Sequence, residues 1–334
     1  MDIHVVSKSD NRQHTAFQIP APTDPLKPSS IRLKTALLGL TSNNLTYALG
    51  GTQLRWWDAY PVPSTCPAPY NDQSKWGIVP AWGLATVLES TIPEITPGTT
   101  FFGFWPTSSH SIDLELTPTE PAGHWRETSP HRQNLMSLYN RYMVFDTQGK
   151  EITEFAWDVA VRPIWVAGYV FSEYVFTSDP ETRPVIHPLG GTDGWTTQDS
   201  DLSKAVFVSL AASTKTGRAT AYNFFCRPPR KGPVGFLQVT SSPSSIAEAA
   251  DKFIPSFPVK ALGYEDITHS GEWLAGIKAE RIVIADFGAR DGALDDLIKV
   301  IQSNPELDSL KVTIMQVGKQ QKVPTPPYHI TTLS

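Results

Sequence analysis

The sequence AVFVSLAASTKTGRATA, residues 205–221, has the composition of a strand, a tight turn and a helix in immediate succession. Residues 205–210 form a short apolar run, which is typical of a strand that is buried on both faces. Helical composition follows over residues 216–227. We therefore predict a strand–turn–helix unit at this position, and the segments on either side are interpreted from it.

The chain continues after this unit as alternating strands and helices. Further strands are predicted over residues 234–240, 258–262, 281–287 and 310–317, and further helices over residues 244–254 and 290–303. Elements of these lengths in this alternation are typical of a parallel sheet that is covered by helices on both faces.

The part of the chain before residue 204 has a different pattern. Many prolines and short apolar runs indicate a mostly β structure over residues 1–118. Three strand regions stand out there, over residues 29–40, 76–90 and 97–105. Helical spacing predicts helices over residues 131–142 and 163–176, the second opened by Pro163, and residues 179–203 are predicted to be a linker.

Composition excludes several classes of function. The 334 residues include 28 Lys and Arg against 33 Asp and Glu, a net charge of −5, so no basic surface for a nucleic acid is expected. Cys66 and Cys226 are too few for a disulfide framework. The chain shows no signal-peptide pattern and no apolar stretch long enough for a bilayer. We therefore expect a cytoplasmic protein with no membrane partner.

Six segments together resemble one protein family. They are LTSNNLTYALGG (40–51), WGIVPAWGLATVLES (76–90), GTTFFGFWP (98–106), HRQNLMSLYNRY (131–142), SLAASTKTG (209–217) and KALGYEDI (260–267). As a set they resemble the domain of unknown function 2855 family, a divergent zinc-free branch of the medium-chain dehydrogenase/reductase superfamily.

The resemblance implies an α/β fold with two domains. A β-rich GroES-like catalytic domain with a helical extension would occupy residues 1–160, and a bridging helix and linker residues 161–203. A Rossmann-like, doubly wound parallel sheet would bind the nucleotide with residues 204–318. Residues 319–334 would form a short C-terminal tail, where the superfamily normally has a longer segment.

The turn after residue 210 departs from the dinucleotide-binding pattern G-x-G-x-x-G. Aligned by spacing, Ala211, Thr214 and Gly217 take the three glycine positions. Gly217 keeps the packing role of the third glycine, whereas Thr214 puts a side chain where the pyrophosphate would approach.

The same turn also carries groups that suit an anion. Ser213, Thr214, Lys215 and Thr216 supply three hydroxyls and an ammonium at a helix N-terminus, which favours phosphate. With Gly217 they form the predicted phosphate site. The alternative is that Ser213 or Thr214 only caps the helix and that Lys215 is solvated.

The end of the second predicted strand bears on the type of cofactor. Thr240, Ser241 and Ser242 follow Val239, and no Asp or Glu is present for the ribose hydroxyls of NAD. Their hydroxyls suit the 2′-phosphate of NADPH better. An ordinary polar strand end is the alternative.

Catalytic candidates come from the N-terminal part. The resemblance implies that residues 41–47 lie at the nicotinamide end of a cleft. Tyr47 would pass a proton to an enolate there, and Asn44 and Thr46 would hydrogen-bond a carbonyl. Tyr139, on the predicted helix over residues 131–142, is a further candidate. Alternatively, Asn44 ends a strand and both tyrosines pack in the core.

No metal site is predicted, because none of the eight histidines has metal-ligand spacing. Two functions stay open. The resemblance implies a zinc-independent NADPH-dependent oxidoreductase that acts on a medium-sized apolar carbonyl or enone, in secondary-metabolite (polyketide) biosynthesis. The alternative is a cofactor-free lyase, isomerase or cyclase, or a binding protein. Either would bind a small molecule, as a monomer or homodimer.

Overall fold

The computed structural model describes residues 1–188, 190, 191 and 194–318. The chain divides into two compact units, Met1–Pro163 and one that begins at Ile164. The predicted tail over residues 319–334 lies outside the described residues.

The N-terminal unit consists mostly of short strands. They are β1 (Asp2–Ser7), β2 (His14–Gln18), β3 (Ser30–Leu38), β4 (Trp76–Gly77), β5 (Pro80–Ser90), β6 (Thr100–Pro106), β7 (Ile112–Thr119), β8 (His124–Glu127) and β9 (Arg141–Val144). Helix α1 (Ser42–Leu49) follows β3, and α2 (Ala156–Val170) runs through the point where the two units divide.

Six of these strands close into a barrel in the order β3-β5-β6-β9-β8-β7, while β1 pairs with β2 and β4 in a separate antiparallel sheet. Phe101, Trp105 and Tyr142 are fully buried in the core of this unit. A Cβ at Gly103 would lie 2.2 Å from the Tyr142 ring, so glycine lets β6 approach this ring closely.

In the described residues from Ile164 to Gly318, the C-terminal unit is built on one sheet of five parallel strands. They are β10 (Ala205–Leu210), β11 (Gly235–Val239), β12 (Val259–Leu262), β13 (Arg281–Phe287) and β14 (Lys311–Gly318). The helices are α3 (Thr197–Ser200), α4 (Lys215–Phe225), α5 (Pro243–Asp251), α6 (Gly271–Gly276) and α7 (Ala293–Ser303).

The strand order is β12-β11-β10-β13-β14, which is the Rossmann order 3-2-1-4-5. Because parallel crossovers are right-handed, α4 and α5 cover one face of this sheet and α7 the other. Every residue of β10 is buried, and Phe207 stacks on Phe236 with ring centroids 5.3 Å apart. The predicted fold class, a β-rich domain followed by a Rossmann-like domain, is confirmed.

The predicted helix over residues 131–142 is wrong. The segment forms two short 3₁₀ turns, Pro130–Arg132 and Ser137–Asn140, and then strand β9. The buried Arg132 side chain donates to Asn140 Oδ1 at 3.0 Å, and Asn140 Nδ2 donates back to the Arg132 carbonyl at 2.9 Å. These bonds fold the segment back on itself, which an extended helix would not allow.

The apolar helix that was expected from Pro163 begins earlier than predicted. Helix α2 starts at Ala156, so that Pro163 lies inside it, and a π-helical turn over Phe171–Val175 ends it. The first helical turn consists of Ala156, Trp157 and Asp158, whose mixed composition gave no clear start signal.

Candidate functional site

The C-terminal unit has a topological switch point between β10 and β13. The chain proceeds from β10 to β11 on one side, and β13 lies on the other side of β10. Leu210 and Asp286 are neighbours at the carboxyl ends of these two strands. Open α/β sheets bind ligands outside the carboxyl ends of the strands at such a point.

The turn after β10 has a backbone shape that glycine normally supplies. Ala211 is buried and has φ +60°, in the left-handed region. An alanine in that region costs roughly 1–2 kcal/mol, whereas glycine adopts it readily. Ala211 therefore keeps the tight turn of the first glycine position at a cost in stability.

Gly217 retains the close packing of the third glycine position. A Cβ on this residue would lie 3.2 Å from the carbonyl oxygens of Ala211 and Ala212 and 3.0 Å from Thr214 Oγ1. Such contacts are tight, so a larger residue would push the start of α4 away from the turn.

In the first turn of α4, two backbone N–H groups are available to bind an anion. Thr214 is the N-cap, and its Oγ1 accepts the Gly217 N–H at 3.1 Å. The N–H groups of Lys215 and Thr216 belong to the first turn and have no intrahelical acceptor. Ser213 and Lys215 are exposed, and Lys215 forms no ion pair within the described part of the chain.

The end of β11 presents hydroxyls and no carboxylate. Thr240 is fully buried, and its Oγ1 accepts the Ser242 N–H at 3.2 Å. Ser241 and Ser242 are exposed. Only the two serine hydroxyls are therefore presented to solvent at this strand end.

Sequence reasoning missed three residues beside the switch point: Asp286, Tyr264 and Arg290. Asp286 is buried and its Oδ1 accepts the N–H groups of Gly288 at 2.9 Å and Ala289 at 2.8 Å. These bonds shape the loop after β13. Because Asp and Gly favour turns, the sequence DFG (286–288) at the end of β13 could have indicated such a turn.

Arg290 adds a second cation to this edge of the sheet. It is exposed, and its guanidinium lies over the Tyr264 ring, 4.7 Å from the centroid. Burial is the main cause that raises the pKa of Tyr264, so this phenol is neutral at physiological pH. The aromatic contact holds the guanidinium at the edge of the sheet where Ala211 lies.

Tyr47, in the N-terminal unit, lies in an aromatic cluster. It is on α1, only 5% of it is exposed, and its hydroxyl accepts the Trp82 Nε1–H at 3.0 Å. Its ring centroid lies 4.8 Å from that of Trp56 and 5.0 Å from that of Phe104. Burial, the largest cause, raises the pKa of Tyr47, so the hydroxyl keeps its proton at neutral pH.

Tyr139 joins the same cluster. It lies in a 3₁₀ turn, with its ring centroid 6.0 Å from that of Tyr47 and 4.7 Å from that of Phe104. Burial and then the neighbouring Tyr47 raise its pKa. The fold thus brings two of the four catalytic candidates together.

The other two candidates have different surroundings. Asn44 Oδ1 accepts the Thr41 N–H at 2.7 Å, and Asn44 Nδ2 donates to the Pro80 carbonyl at 3.1 Å. Both ends of this amide are thus used to fix the start of α1. Thr46 is half-buried on α1, and its carbonyl accepts the Gly50 N–H at 2.8 Å. Residues 42–47 all lie in helix α1.

No group of three or more His, Cys, Asp or Glu side chains suited to a metal ion occurs in residues 1–188, 190, 191 and 194–318. Within the same residues no helix combines the length and the apolar character that crossing a bilayer requires.

A family model described as "Protein of unknown function (DUF2855)" matches residues 38–332. Among curated proteins, none has a sequence that matches the chain.

Several solved structures are similar over most of the chain. CurA from Vibrio vulnificus is 10% identical with a TM-score of 0.49, and the match covers 98% of this chain and 77% of that one. A mutant enoyl thioester reductase from Candida tropicalis is 11% identical with a TM-score of 0.46, over 97% and 78% of the two chains.

Proposed function

The chain belongs to the DUF2855 family, and we propose that it is a zinc-independent, NADPH-dependent oxidoreductase that acts on a medium-sized apolar carbonyl or enone. The observation that carries the proposal is the glycine-like conformation of Ala211, φ +60°, in the first strand–turn–helix of a Rossmann-ordered sheet. A turn held in a costly conformation at the usual nucleotide position is well explained by a ligand that needs its shape.

The pyrophosphate would meet the first turn of α4. The Lys215 and Thr216 N–H groups are open to an acceptor there, and the positive end of the helix favours an anion. The exposed ammonium of Lys215 and hydroxyl of Ser213 supplement these N–H groups. Arg290, held over Tyr264, offers a further cation at the same edge of the sheet.

The preference for NADPH rests on the end of β11. NAD-specific sites place a carboxylate there, which would repel a 2′-phosphate. The exposed Ser241 and Ser242 instead offer hydroxyls that donate to phosphate oxygens.

NADPH supplies a hydride when it is bound, and the protein has to supply a proton. Tyr47 is our candidate donor. Its oxygen accepts a hydrogen bond from Trp82, and the hydroxyl still has its own proton to donate. The rings of Trp56, Phe104 and Tyr139 give this hydroxyl apolar surroundings.

The proposal is tested by mixing the purified protein with NADPH and a panel of apolar enones, aldehydes and ketones, and by following the absorbance of the reduced nicotinamide. We expect substrate-dependent oxidation with at least one enone. A panel that gives no oxidation, together with no bound cofactor, would contradict the proposal. Elemental analysis of the same sample should find no stoichiometric zinc.

One observation favours the alternative of a cofactor-free lyase, isomerase, cyclase or binding protein. The Thr214 hydroxyl already occupies the Gly217 N–H, one of the donors that a phosphate would use. Isomerisation of an enone without added NADPH would support this alternative.

A further inference from the structure

A pocket of about 330 Å³ lies in the N-terminal unit, and none of the candidate catalytic residues lines it. Its polar lining comes from distant parts of the sequence and includes Lys8, Arg55, Asp58 and His131. Ligand pockets in proteins begin at about this volume, so a molecule of one or two rings fits.

The charged side chains that line the pocket carry one more positive than negative charge. Arg55 Nε lies 2.8 Å from Asp58 Oδ2 and compensates its charge. Lys8 Nζ donates to the Gln73 carbonyl at 2.7 Å but forms no ion pair in the described part of the chain. His131 is counted as neutral, because burial is the largest cause acting on it and lowers its pKa. Lys8 and Arg55 against Asp58 therefore give a net charge of +1.

Arg55 has a strained backbone at the edge of this pocket. Its φ is +64°, in the left-handed region, and it begins the 3₁₀ turn Trp56–Asp58 without a side-chain cap. A glycine would adopt this conformation without strain. Strained residues of this kind concentrate at functional sites, where the position of the side chain matters more than stability.

The apolar part of the lining is flat and rigid. The Trp57 ring is 4% exposed and is held between two glycines, since a Cβ would lie 2.4 Å from it at Gly51 and 2.3 Å from it at Gly77. Trp76 is half-buried, and its ring contacts that of Tyr70 with centroids 4.8 Å apart. Lys8 Nζ lies 5.7 Å from the Trp57 ring centroid, so cation and aromatic surface are adjacent.

We propose that this pocket is a binding site for a small planar organic monocarboxylate, with its carboxylate at Lys8 and Arg55 and its ring against Trp76, beside the buried Trp57. The single excess charge matches a monoanion, and the apolar wall matches a planar ring. The proposal does not depend on the oxidoreductase function, because the residues of the NADPH and proton-donor proposals do not line the pocket.

The probes are benzoate and indole-3-carboxylate, titrated into the full chain by calorimetry, with benzamide and indole-3-carboxamide as uncharged controls. We expect at least one acid to bind in the millimolar range or below, and its amide to bind at least tenfold more weakly. Equal binding of acid and amide, or no binding of either acid at millimolar concentration, would overturn the proposal.

Single substitutions test whether the acid binds in this pocket. Lys8→Gln should weaken acid binding about tenfold, as expected for the loss of one partly exposed charge contact. Lys75→Gln is the matched control, since Lys75 pairs with Asp72 outside the lining and should leave binding unchanged. Equal effects of both substitutions would show a diffuse charge effect and contradict the proposed site.

Arg55→Gly tests whether Arg55 binds the acid, because the substitution should change acid binding and stability in opposite directions. Removing the side chain should weaken acid binding, while relief of the left-handed strain should raise the urea midpoint. Unchanged binding in a folded Arg55→Gly protein would count against the proposal. The same variants should bind NADPH with wild-type affinity. Failure of the carboxylate-site proposal is therefore distinguishable from failure of the oxidoreductase proposal.

Discussion

Ala211 holds a left-handed conformation, φ +60°, at the turn between β10 and α4. Replacing it with glycine should relieve this strain, and we expect Ala211→Gly to raise the free energy of unfolding by about 1 kcal/mol. Ala212→Gly is the control, because Ala212 is buried without a positive φ and its replacement should destabilise the protein. Urea unfolding measures both, and a destabilised Ala211→Gly would show that the Ala211 methyl packs favourably enough to outweigh the strain.

Lys215 is exposed at the start of α4. If its ammonium contacts a cofactor phosphate, Lys215→Ala should weaken NADPH binding by about tenfold, the equivalent of about 1.4 kcal/mol. Stability should barely change. Lys204→Ala, just before β10 at the opposite edge of the sheet, removes the same charge and should leave the affinity unaltered. Equal NADPH affinities of wild type and Lys215→Ala would mean that Lys215 is only a solvated residue.

Tyr47→Phe removes the proposed proton donor and keeps the ring in its cluster. Turnover should fall by about a hundredfold or more, which is the usual contribution of a positioned acid, and NADPH affinity should stay the same. Tyr70→Phe, a half-buried tyrosine of the same unit, is the control. Full activity of Tyr47→Phe would exclude Tyr47 as the donor and leave Tyr139 as the remaining tyrosine candidate.

At the scale of elements, β8 and the following turn are joined by a buried ion pair. Arg132 Nε lies 3.5 Å from Glu127 Oε2, and both side chains are at most 1% exposed. Arg132→Met should cost about 3–5 kcal/mol, because it leaves a buried carboxylate without its partner, whereas Arg132→Met with Glu127→Leu should recover most of that loss.

The control for this prediction is the exposed pair of Lys278 and Glu306. Lys278→Met should change the unfolding free energy by less than about 1 kcal/mol. If the double variant in the barrel were as unstable as Arg132→Met alone, the hydrogen bonds of Arg132 to Asn140 and Tyr142 would be more important than the charge pairing.

The parallel sheet could be predicted from the sequence because its signal is local. Each buried strand is a short apolar run, and the predictions over residues 205–210 and 281–287 match β10 and β13 to the residue. The barrel was harder to predict. Strands β7 and β8 are partly exposed, and the barrel closes through the pairing of β7 with β3, in which Leu114 lies beside the distant Ile31.

The segment over residues 131–142 shows why helical spacing alone misled. Leu135, Tyr139 and Tyr142 stand at helical intervals, but a buried arginine within the segment needs acceptors that a helix cannot offer. Arg132 finds them in Asn140 and in the Tyr139 carbonyl, at 2.9 Å from Nη2 in the second case. These contacts follow from burial inside the unit, which periodicity does not report.

The candidate site was predictable in part. The turn and its helix start were visible in residues 211–217, since the unit is continuous in sequence. Arg290 and Tyr264 were not, because they come to the same edge of the sheet only through the strand order. Asn44 Nδ2 also donates to the Pro80 carbonyl, 36 positions away along the chain, and this contact has no local signal in the sequence.

At the scale of the whole molecule, stability should depend on pH through His110. This side chain is 6% exposed, and burial, followed by the charge of the Met1 amino group, lowers its pKa to about 4. Above pH 6.5 the imidazole is neutral in both states. As pH falls from about 6.5 to 4, the unfolded chain takes up a proton that the folded chain does not, so stability is lost, on the order of 3 kcal/mol in total.

A variant isolates this contribution. Between pH 7 and pH 4, the unfolding free energy should fall less in His110→Leu than in the wild type. His269→Gln, at an exposed histidine, should keep the wild-type slope. Parallel pH profiles for wild type and His110→Leu would mean that His110 titrates normally in the folded protein.

The carboxyl edge of the parallel sheet is the proposed binding site for NADPH. The most direct test is a titration of the full chain with NADPH and, separately, NADH, followed by quenching of its ten tryptophans. We predict saturable quenching by NADPH in the micromolar range and binding of NADH at least tenfold weaker, because the end of β11 offers hydroxyls and no carboxylate. No saturable response to either nucleotide at millimolar concentration would contradict the binding of a nicotinamide cofactor at this edge.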